Sequence, residues 1–388
     1  VPIVRDGDQL KVGGHGDPVE FAVRMHEFDP SQELAAQLAQ GNVTTHEMSA
    51  FAAQIAKAHL RAAVATEEDQ FGTFKKIQAA MLANFALLQT HLGSPADLEL
   101  LGRLATWNAE SLARLEPLIH SRRQAGMVRE CHGDLHARNI VRWRQQWLPF
   151  DCLEFDPELR WVDVMSDVAF LFMDLMSRQR ADLAHEFLSR YLEVTGDYEG
   201  LRLLPLYAAY LALVRAKVDA LDADTAGPED RQALEARLAE RLATAVRFMG
   251  AEPPALVIMH GVTASGKSWL SERLVSVIHA VRIRSDLERK RLAGIAPFAQ
   301  RASGVGEGDY NVAIRQRTYD RLLVCAESAL DGARNVIIDA TFLDAIHRGM
   351  FQALALRRHC RFLIVSCVSD AATLEIRLAT RARSNLDP

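Results

Sequence analysis

The sequence predicts an α+β part followed by an α/β part, and three features of its pattern indicate this. Residues 1–28 contain short runs of β-forming residues separated by turn residues. From residue 31 to residue 248 apolar residues recur mostly at intervals of three and four, as in amphipathic helices. After residue 255 apolar strands alternate with helices, which is typical of a parallel sheet. We therefore expect two domains, 1–248 and 255–388, on either side of a Gly/Pro-containing boundary.

The elements can be predicted in order. The turn Asp6-Gly7-Asp8 separates the first two strands. Strands are predicted at 1–5, 9–12, 19–28, 256–260, 281–284, 336–339 and 361–367, and a hairpin at 140–143 and 147–150. Helices are predicted within 31–127 and 164–248, with an exposed break at 222–230.

Composition limits the function classes. Hydrophobic residues make up 49% and charged residues 24%, which is typical of a globular protein with a sizeable core. The formal charge of -5 indicates neither nucleic acid nor an anionic membrane as a partner, although it is compatible with a local basic patch. Five cysteines without CxxC spacing are typical of reduced thiols in a cytoplasmic protein. The chain starts without Met inside a predicted strand, so we expect it to be a fragment of a longer protein.

The most specific motif is Gly-Val-Thr-Ala-Ser-Gly-Lys-Ser at 261–268, which matches the P-loop pattern GxxxxGK[ST]. An apolar strand precedes it and a helical pattern follows, as a P-loop requires. Its backbone N–H groups are expected to bind phosphate, with Lys267 reaching the β/γ-phosphates and the Ser268 hydroxyl binding Mg²⁺. The predicted binding residues for ATP, or alternatively GTP, are Gly261, Thr263, Ala264, Ser265, Gly266, Lys267 and Ser268.

Two carboxylates and three basic residues follow in positions that suit phosphoryl transfer. Asp286 follows the second strand of the α/β part, where it could accept a proton from a substrate hydroxyl, or simply cap a helix. Arg289 shares its helix face and could hold a substrate anion. Asp339 ends the third strand and is a candidate for organising Mg²⁺, with a turn aspartate as the alternative. Arg377 and Arg381 share one helix face and suit a phosphate-clamping lid, or merely a solvated face.

The α/β part resembles small P-loop kinases of the zeta-toxin, polynucleotide-kinase and gluconate-kinase type. The likeness rests on the P-loop, the Asp286/Arg289 pair, the segment Asp-Ala-Thr at 339–341 and the arginines near the end. It implies that Asp286 is the catalytic base and that Arg377 and Arg381 stabilise the transferred phosphoryl group.

A second informative segment is Cys-His-Gly-Asp-Leu-His-Ala-Arg-Asn-Ile at 131–140. Asp134 and Asn139 are five residues apart, the spacing of the base and metal ligand in the kinase pattern HRDxxxxN. Asp151 follows a predicted hairpin and would complete an oxygen-ligand set for Mg²⁺. His132 and His136 could form a metal-binding pair, but the surrounding Asp and Asn residues favour structural hydrogen bonding.

This segment resembles the aminoglycoside phosphotransferase-like, kinase-like family. The resemblance implies a mostly helical C-lobe with a partial β N-lobe, Asp134 as base, and Asn139 and Asp151 as Mg²⁺ ligands. It also implies that Asp167 braces the loop. The Gly-rich turn and strand lysine of a kinase N-lobe are absent before residue 28, where Lys11 is the only lysine. Either these elements lie upstream of this chain, which is the interpretation we prefer, or this half does not bind ATP productively. In both cases we expect this site to be inactive in this chain.

Together these features predict an ATP- and Mg²⁺-dependent, bifunctional phosphotransferase whose P-loop part transfers a phosphoryl group to a small-molecule hydroxyl. One alternative is a nucleotide-binding sensor or scaffold with weak ATPase activity. Another is a kinase for nucleic-acid 5′-hydroxyl ends, against which the low aromatic content, 7%, argues weakly. The acceptor and the oligomeric state are not determined by these patterns.

Overall fold

The computed structural model describes residues 1–24, 26–250, 252–299 and 312–384, with their side chains except those of residues 228, 229 and 381–384. Helices and small antiparallel sheets form the first part, and a four-stranded parallel sheet between helices forms the second. The predicted fold class, α+β followed by α/β, is therefore confirmed. Among the described residues, no helix combines the length and apolar character needed to cross a membrane.

The chain begins with a small antiparallel sheet. Strand β1 (Pro2–Asp6) lies between β2 (Gln9–Val12) and β3 (Pro18–Phe21). The predicted strand at 19–28 is wrong in length, since β3 ends at Phe21. Every residue of β2 and β3 is exposed, so burial provides little to extend them, whereas Val4 of β1 is buried.

Helices dominate the rest of the first part. They are α1 (Leu34–Ala39), α2 (Thr45–Arg61), α3 (Phe74–His91), α4 (Pro95–Gln124), α5 (Pro157–Arg160), α6 (Val164–Ser177), α7 (Ala181–Thr195), α8 (Leu204–Thr225) and α9 (Pro228–Arg247). Short strands pair between them as β4 (Val128–Glu130) with β7 (Trp161–Asp163), and β5 (Ile140–Trp143) with β6 (Gln146–Pro149). The predicted break at 222–230 is shorter than expected: α8 continues to Thr225, and Pro228 begins α9, as its fixed φ allows.

The second part alternates strands and helices. Its elements are β8 (Ala255–His260), α10 (Lys267–Val277), β9 (Ala280–Arg284), α11 (Ser285–Leu292), α12 (Val312–Asp331), β10 (Asn335–Asp339), α13 (Ala345–Arg357), β11 (Arg361–Ser366) and α14 (Ala371–Ser384). The sheet order is β11-β8-β10-β9, and all pairs are parallel. The carboxyl ends of all four strands therefore share one edge, where open α/β sheets place their ligands.

One apolar core runs through both parts. Its buried residues include Phe187 of α7 in the first part and Val281 and Ile283 of β9 in the second. Helix α7 packs against α2 and α6 on the first part and against β9 and α10 on the second. The candidate P-loop site is consequently built against the first part of the chain.

A buried arginine ties the first part together. The guanidinium of Arg122 (α4) donates from Nε to Asp163 at 2.8 Å and from Nη1 to Asp197 at 2.6 Å. All three side chains are buried, so removing the arginine would leave two buried carboxylates without a cation.

We expect Arg122→Leu to lower the free energy of unfolding by about 3–5 kcal/mol because it leaves these carboxylates without their cation. The matched control is Arg103→Leu, an exposed arginine of the same helix, which should change it by less than about 0.5 kcal/mol. Urea denaturation of the two variants checks this, and equal midpoints would show that the buried cluster does not stabilise the fold.

Candidate active site

The P-loop lies at the turn from β8 to α10. Gly261 has φ +141° and Gly266 has φ +97°, conformations that side chains rarely adopt. A Cβ at position 261 would lie 2.4 Å from the carbonyl oxygen of Cys367, so only glycine fits there. Ala264, within the turn, also has a positive φ, +68°. The turn before α10 thus has the positive φ values of a tight glycine-containing loop, and loops of this kind bind phosphate through backbone N–H groups at a helix N-terminus.

Lys267 is buried inside this loop. The residue is 8% exposed, and its Nζ donates to the carbonyl oxygen of Val262 at 2.7 Å. Among the described side chains, the Ser265 hydroxyl is a buried polar atom without a hydrogen-bond partner. Ser268 and the exposed Thr263 complete the predicted set. A loop with N–H groups, a lysine ammonium and hydroxyls fits the phosphates of a nucleotide with Mg²⁺.

A buried polar cluster of Asp339 and Ser271 lies next to Ser268, the candidate Mg²⁺ ligand. Asp339, at the end of β10, is 5% exposed and accepts a hydrogen bond from Ser271 Oγ at 2.9 Å. Ser271 lies one turn after Ser268, and its Oγ is also 3.1 Å from the carbonyl oxygen of Ser268. The structure thus brings Asp339 to the first turn of α10, next to the P-loop.

Asp286 lies at the same edge of the sheet, at the start of α11. Arg284, at the end of β9, donates to both of its carboxylate oxygens at 3.2 and 2.9 Å. Burial raises the pKa of Asp286, and the nearby Asp339 adds to this, while Arg284 opposes it. A partly buried carboxylate with a raised pKa is suited to accept a proton.

The structure places the three predicted basic residues differently relative to the P-loop. Arg377 of α14 reaches the P-loop, where Nη1 donates to the carbonyl oxygen of Ala264 at 3.1 Å and to Ser369 Oγ at 3.3 Å. Arg289 lies on α11, one turn after Asp286. Arg381 belongs to α14, but its side chain lies outside the part of the chain that the structure describes.

The second candidate loop, between β4 and β5, is held by two buried aspartates of α6. Asp167 accepts a hydrogen bond from the backbone N–H of Gly133 at 2.8 Å, and Asp174 accepts one from the backbone N–H of Ala137 at 2.9 Å. Asp167 also lies 3.1 Å from His59 Nε2. These contacts support the bracing role that the resemblance implied for Asp167.

Asp134 and Asn139 meet in this loop. Asn139 Nδ2 donates to Asp134 Oδ2 at 2.9 Å, and His136 Nε2 lies 3.3 Å from the same oxygen. Although burial opposes it, His136, Arg215 and Asn139 lower the pKa of Asp134, so this carboxylate is ionised at neutral pH. Asp151 is exposed and follows Phe150, whose N–H donates to the carbonyl oxygen of Asn139 at 2.9 Å.

Sequence reasoning missed three arginines of these sites. Arg282 and Arg284 lie on β9 two residues apart, a spacing that indicated only a strand face. Arg215 of α8 lies 3.2 Å from His136 Nε2, a contact between residues 79 positions apart. Arg284 and Asp286 are two positions apart in the sequence, and this closeness is the signal that could have placed them together.

Comparisons with known proteins support part of this picture. Residues 256–388 match a family model described as an AAA domain. An uncharacterized protein of Mycobacterium tuberculosis and one of Mycobacterium bovis are each 28% identical over 375 residues, which is 97% of this chain and 74% of each relative.

Two solved kinase structures are also similar to this chain. A choline kinase from Cryptosporidium parvum is 14% identical with a TM-score of 0.36, covering 56% of this chain and 68% of its own. An ethanolamine kinase of Plasmodium vivax is 14% identical with a TM-score of 0.32, covering 51% of this chain and 59% of its own. The AAA domain match, which includes the P-loop, supports a nucleotide-binding role for residues 256–388.

Proposed function

We propose that the P-loop part transfers the γ-phosphoryl group of ATP to a hydroxyl acceptor. The observation that carries this proposal is the position of Asp286. It lies at the same sheet edge as the P-loop, its side chain is 16% exposed, and its pKa is raised by burial. A nucleotide sensor needs the loop and the Mg²⁺ ligands, but it has no use for a second carboxylate suited to accept a proton.

Each side chain has a role in this reaction. Ser268, with Asp339 nearby, would hold Mg²⁺, which would supply positive charge to offset the negative charge of the phosphates. Lys267 stabilises the same charge, and Arg377 lies on the loop where it can add to it. The acceptor oxygen bonds to the γ-phosphorus as the bond to the bridging oxygen breaks, and Asp286 takes the acceptor's proton. ADP and the phosphorylated acceptor leave.

The test is transfer of label from γ-labelled ATP. The protein is incubated with Mg²⁺ and a panel of small alcohols and sugars, and in parallel with a 5′-hydroxyl oligonucleotide. We expect labelled small molecules. Preferential labelling of the oligonucleotide would favour a nucleic-acid kinase, and release of phosphate without any labelled acceptor would favour a sensor with weak ATPase activity.

The pH profile gives a second test, through Arg284. Because Asp286 must be ionised to act as a base, activity falls as the pH drops through its pKa, which burial raises. The charge of Arg284 opposes that rise, so Arg284→Gln should raise the pKa further and move the acidic limb of kcat/KM to higher pH. An unchanged limb, measured across the acidic range, would show that Asp286 is not the titrating base.

We also propose that the second loop does not contribute to ATP turnover in this chain. Asp134 and Asn139 lie together, with Asn139 Nδ2 donating to Asp134 Oδ2 at 2.9 Å, but phosphate binding in a kinase N-lobe needs a strand lysine. Lys11 instead lies on the exposed sheet, 3.5 Å from Asp6. Turnover is therefore expected to come from the P-loop.

A further inference from the structure

The P-loop site is contacted from behind by the first part of the chain. Helix α7 packs against both α10, which starts at the P-loop, and β9, which leads to Asp286. Two buried side chains meet at this contact, Arg282 of β9, 7% exposed, and Glu193 of α7, 2% exposed. Burying a charged pair requires good hydrogen-bond geometry on both partners.

Arg282 connects the two parts directly. Its Nε donates to Glu193 Oε1 at 2.7 Å. Its Nη1 donates to the carbonyl oxygen of Ser268 at 3.2 Å and lies 3.4 Å from Ser271 Oγ, the hydroxyl that donates to Asp339. One guanidinium therefore contacts a carboxylate of the first part and the backbone of the candidate Mg²⁺ ligand.

Glu193 is the anion that holds this guanidinium. Burial opposes its ionisation, but the charges of Arg282 and Arg284 lower its pKa, so it is ionised at neutral pH. Arg284 is also the residue that holds Asp286. The backbone N–H of Arg282 donates to Ser189 Oγ, one turn earlier on α7, at 3.0 Å. The backbone and the side chain of Arg282 are thus both held by α7.

We propose that Glu193 is a positioning residue of the P-loop site, acting through Arg282 on Ser268 and on the Ser271–Asp339 pair. The inference rests on the proposed function and adds that the P-loop part needs the first part of the chain to bind Mg²⁺ at its normal affinity. Without the carboxylate, Arg282 is a buried cation that must turn away toward another anion, such as Asp339. This movement of Arg282 would disturb the groups around Ser268.

The experiment compares the Mg²⁺ dependence of ATP turnover in the full chain and in Glu193→Gln, which keeps the shape and removes the charge. Residues that orient metal ligands typically change metal affinity or activity by about 10–100-fold when removed. We expect the Mg²⁺ concentration for half-maximal ATP turnover to rise at least about tenfold at saturating ATP. Glu193→Asp should recover part of the loss.

The matched control is Arg321→Gln, an interface arginine of α12 that donates to the carbonyl oxygen of Gly196 at 3.1 Å. It loosens the same interface without contacting the P-loop, so it should lower the denaturation midpoint while leaving the Mg²⁺ dependence within about twofold of wild type. If Arg321→Gln weakens Mg²⁺ use as much as Glu193→Gln does, general loosening explains the effect and the inference is wrong.

A double variant covers the case in which Glu193→Gln fails to fold. Glu193→Gln with Arg282→Met removes both buried charges, a change that is often neutral for stability. We expect it to fold and to keep the weakened Mg²⁺ dependence, and wild-type dependence in this variant would overturn the proposal.

Failure of this inference can be told from failure of the proposed function. Normal turnover and normal Mg²⁺ dependence in Glu193→Gln would overturn the inference alone. If the wild-type chain turns over no ATP, the proposed function fails. Calorimetric titration of ATP at several Mg²⁺ concentrations then decides on Glu193, and equal Mg²⁺ dependence of ATP affinity in wild type and variant would overturn its role.

Discussion

Replacing Lys267 with alanine is expected to reduce ATP turnover by about 10²–10³-fold or more, because the ammonium stabilises charge on the transferring phosphates. In the structure Lys267 is buried within the P-loop, with Nζ 2.7 Å from the carbonyl oxygen of Val262. The ammonium is thus already inside the phosphate-binding turn. Initial rates of ADP formation with saturating Mg²⁺ measure the loss, and ATP affinity should also fall.

A second lysine provides the control for this result. Lys217 is a half-buried residue of α8 in the first part of the chain, so Lys217→Ala removes a comparable side chain away from the P-loop. It should leave turnover within about twofold of wild type. Equal losses in the two variants would mean that the effect of Lys267→Ala is not specific to phosphate binding.

Replacing Asp286 with asparagine should separate chemistry from binding. Loss of a general base typically costs about 10²–10⁴-fold in rate, so transfer to the acceptor should fall by that factor. ATP affinity should stay within about threefold, because the role proposed for Asp286 is with the acceptor hydroxyl and not with the phosphates. Labelled-product formation and calorimetric ATP titration measure the two quantities.

Asp331 of α12 is the matched control for Asp286. It also pairs with an arginine, Arg358 at 3.0 Å, and burial also raises its pKa. Asp331→Asn should therefore reproduce the loss of a paired carboxylate while leaving transfer unchanged. If Asp286→Asn turns over acceptor like wild type, the protein is better described as a nucleotide sensor.

The parts of this protein that could be predicted from sequence are those with local signals. The P-loop is a continuous motif between a strand and a helix, so its residues and their neighbours follow from eight consecutive positions. The strands of the second part are short apolar runs, and the structure places them within one or two residues of the prediction. The loop with Asp134 and Asn139 is likewise a single segment.

Arg282 and Arg215 were missed because their roles depend on contacts between distant residues. Arg282 and Glu193 are 89 positions apart, and nothing in the alternation along β9 indicates that a helix of the first part supplies the partner. The overestimated strand at 19–28 has a related cause, because β-propensity alone does not extend a strand whose side chains remain exposed.

The most direct test of the central claim is Mg²⁺-dependent ATP turnover of this chain, measured side by side for wild type, Lys267→Ala and Asp134→Ala. The account predicts that Lys267→Ala removes turnover and that Asp134→Ala does not, because the P-loop carries the reaction. If Asp134→Ala instead removes turnover while Lys267→Ala keeps it, the second loop is the reactive site and the proposed role of the P-loop is wrong.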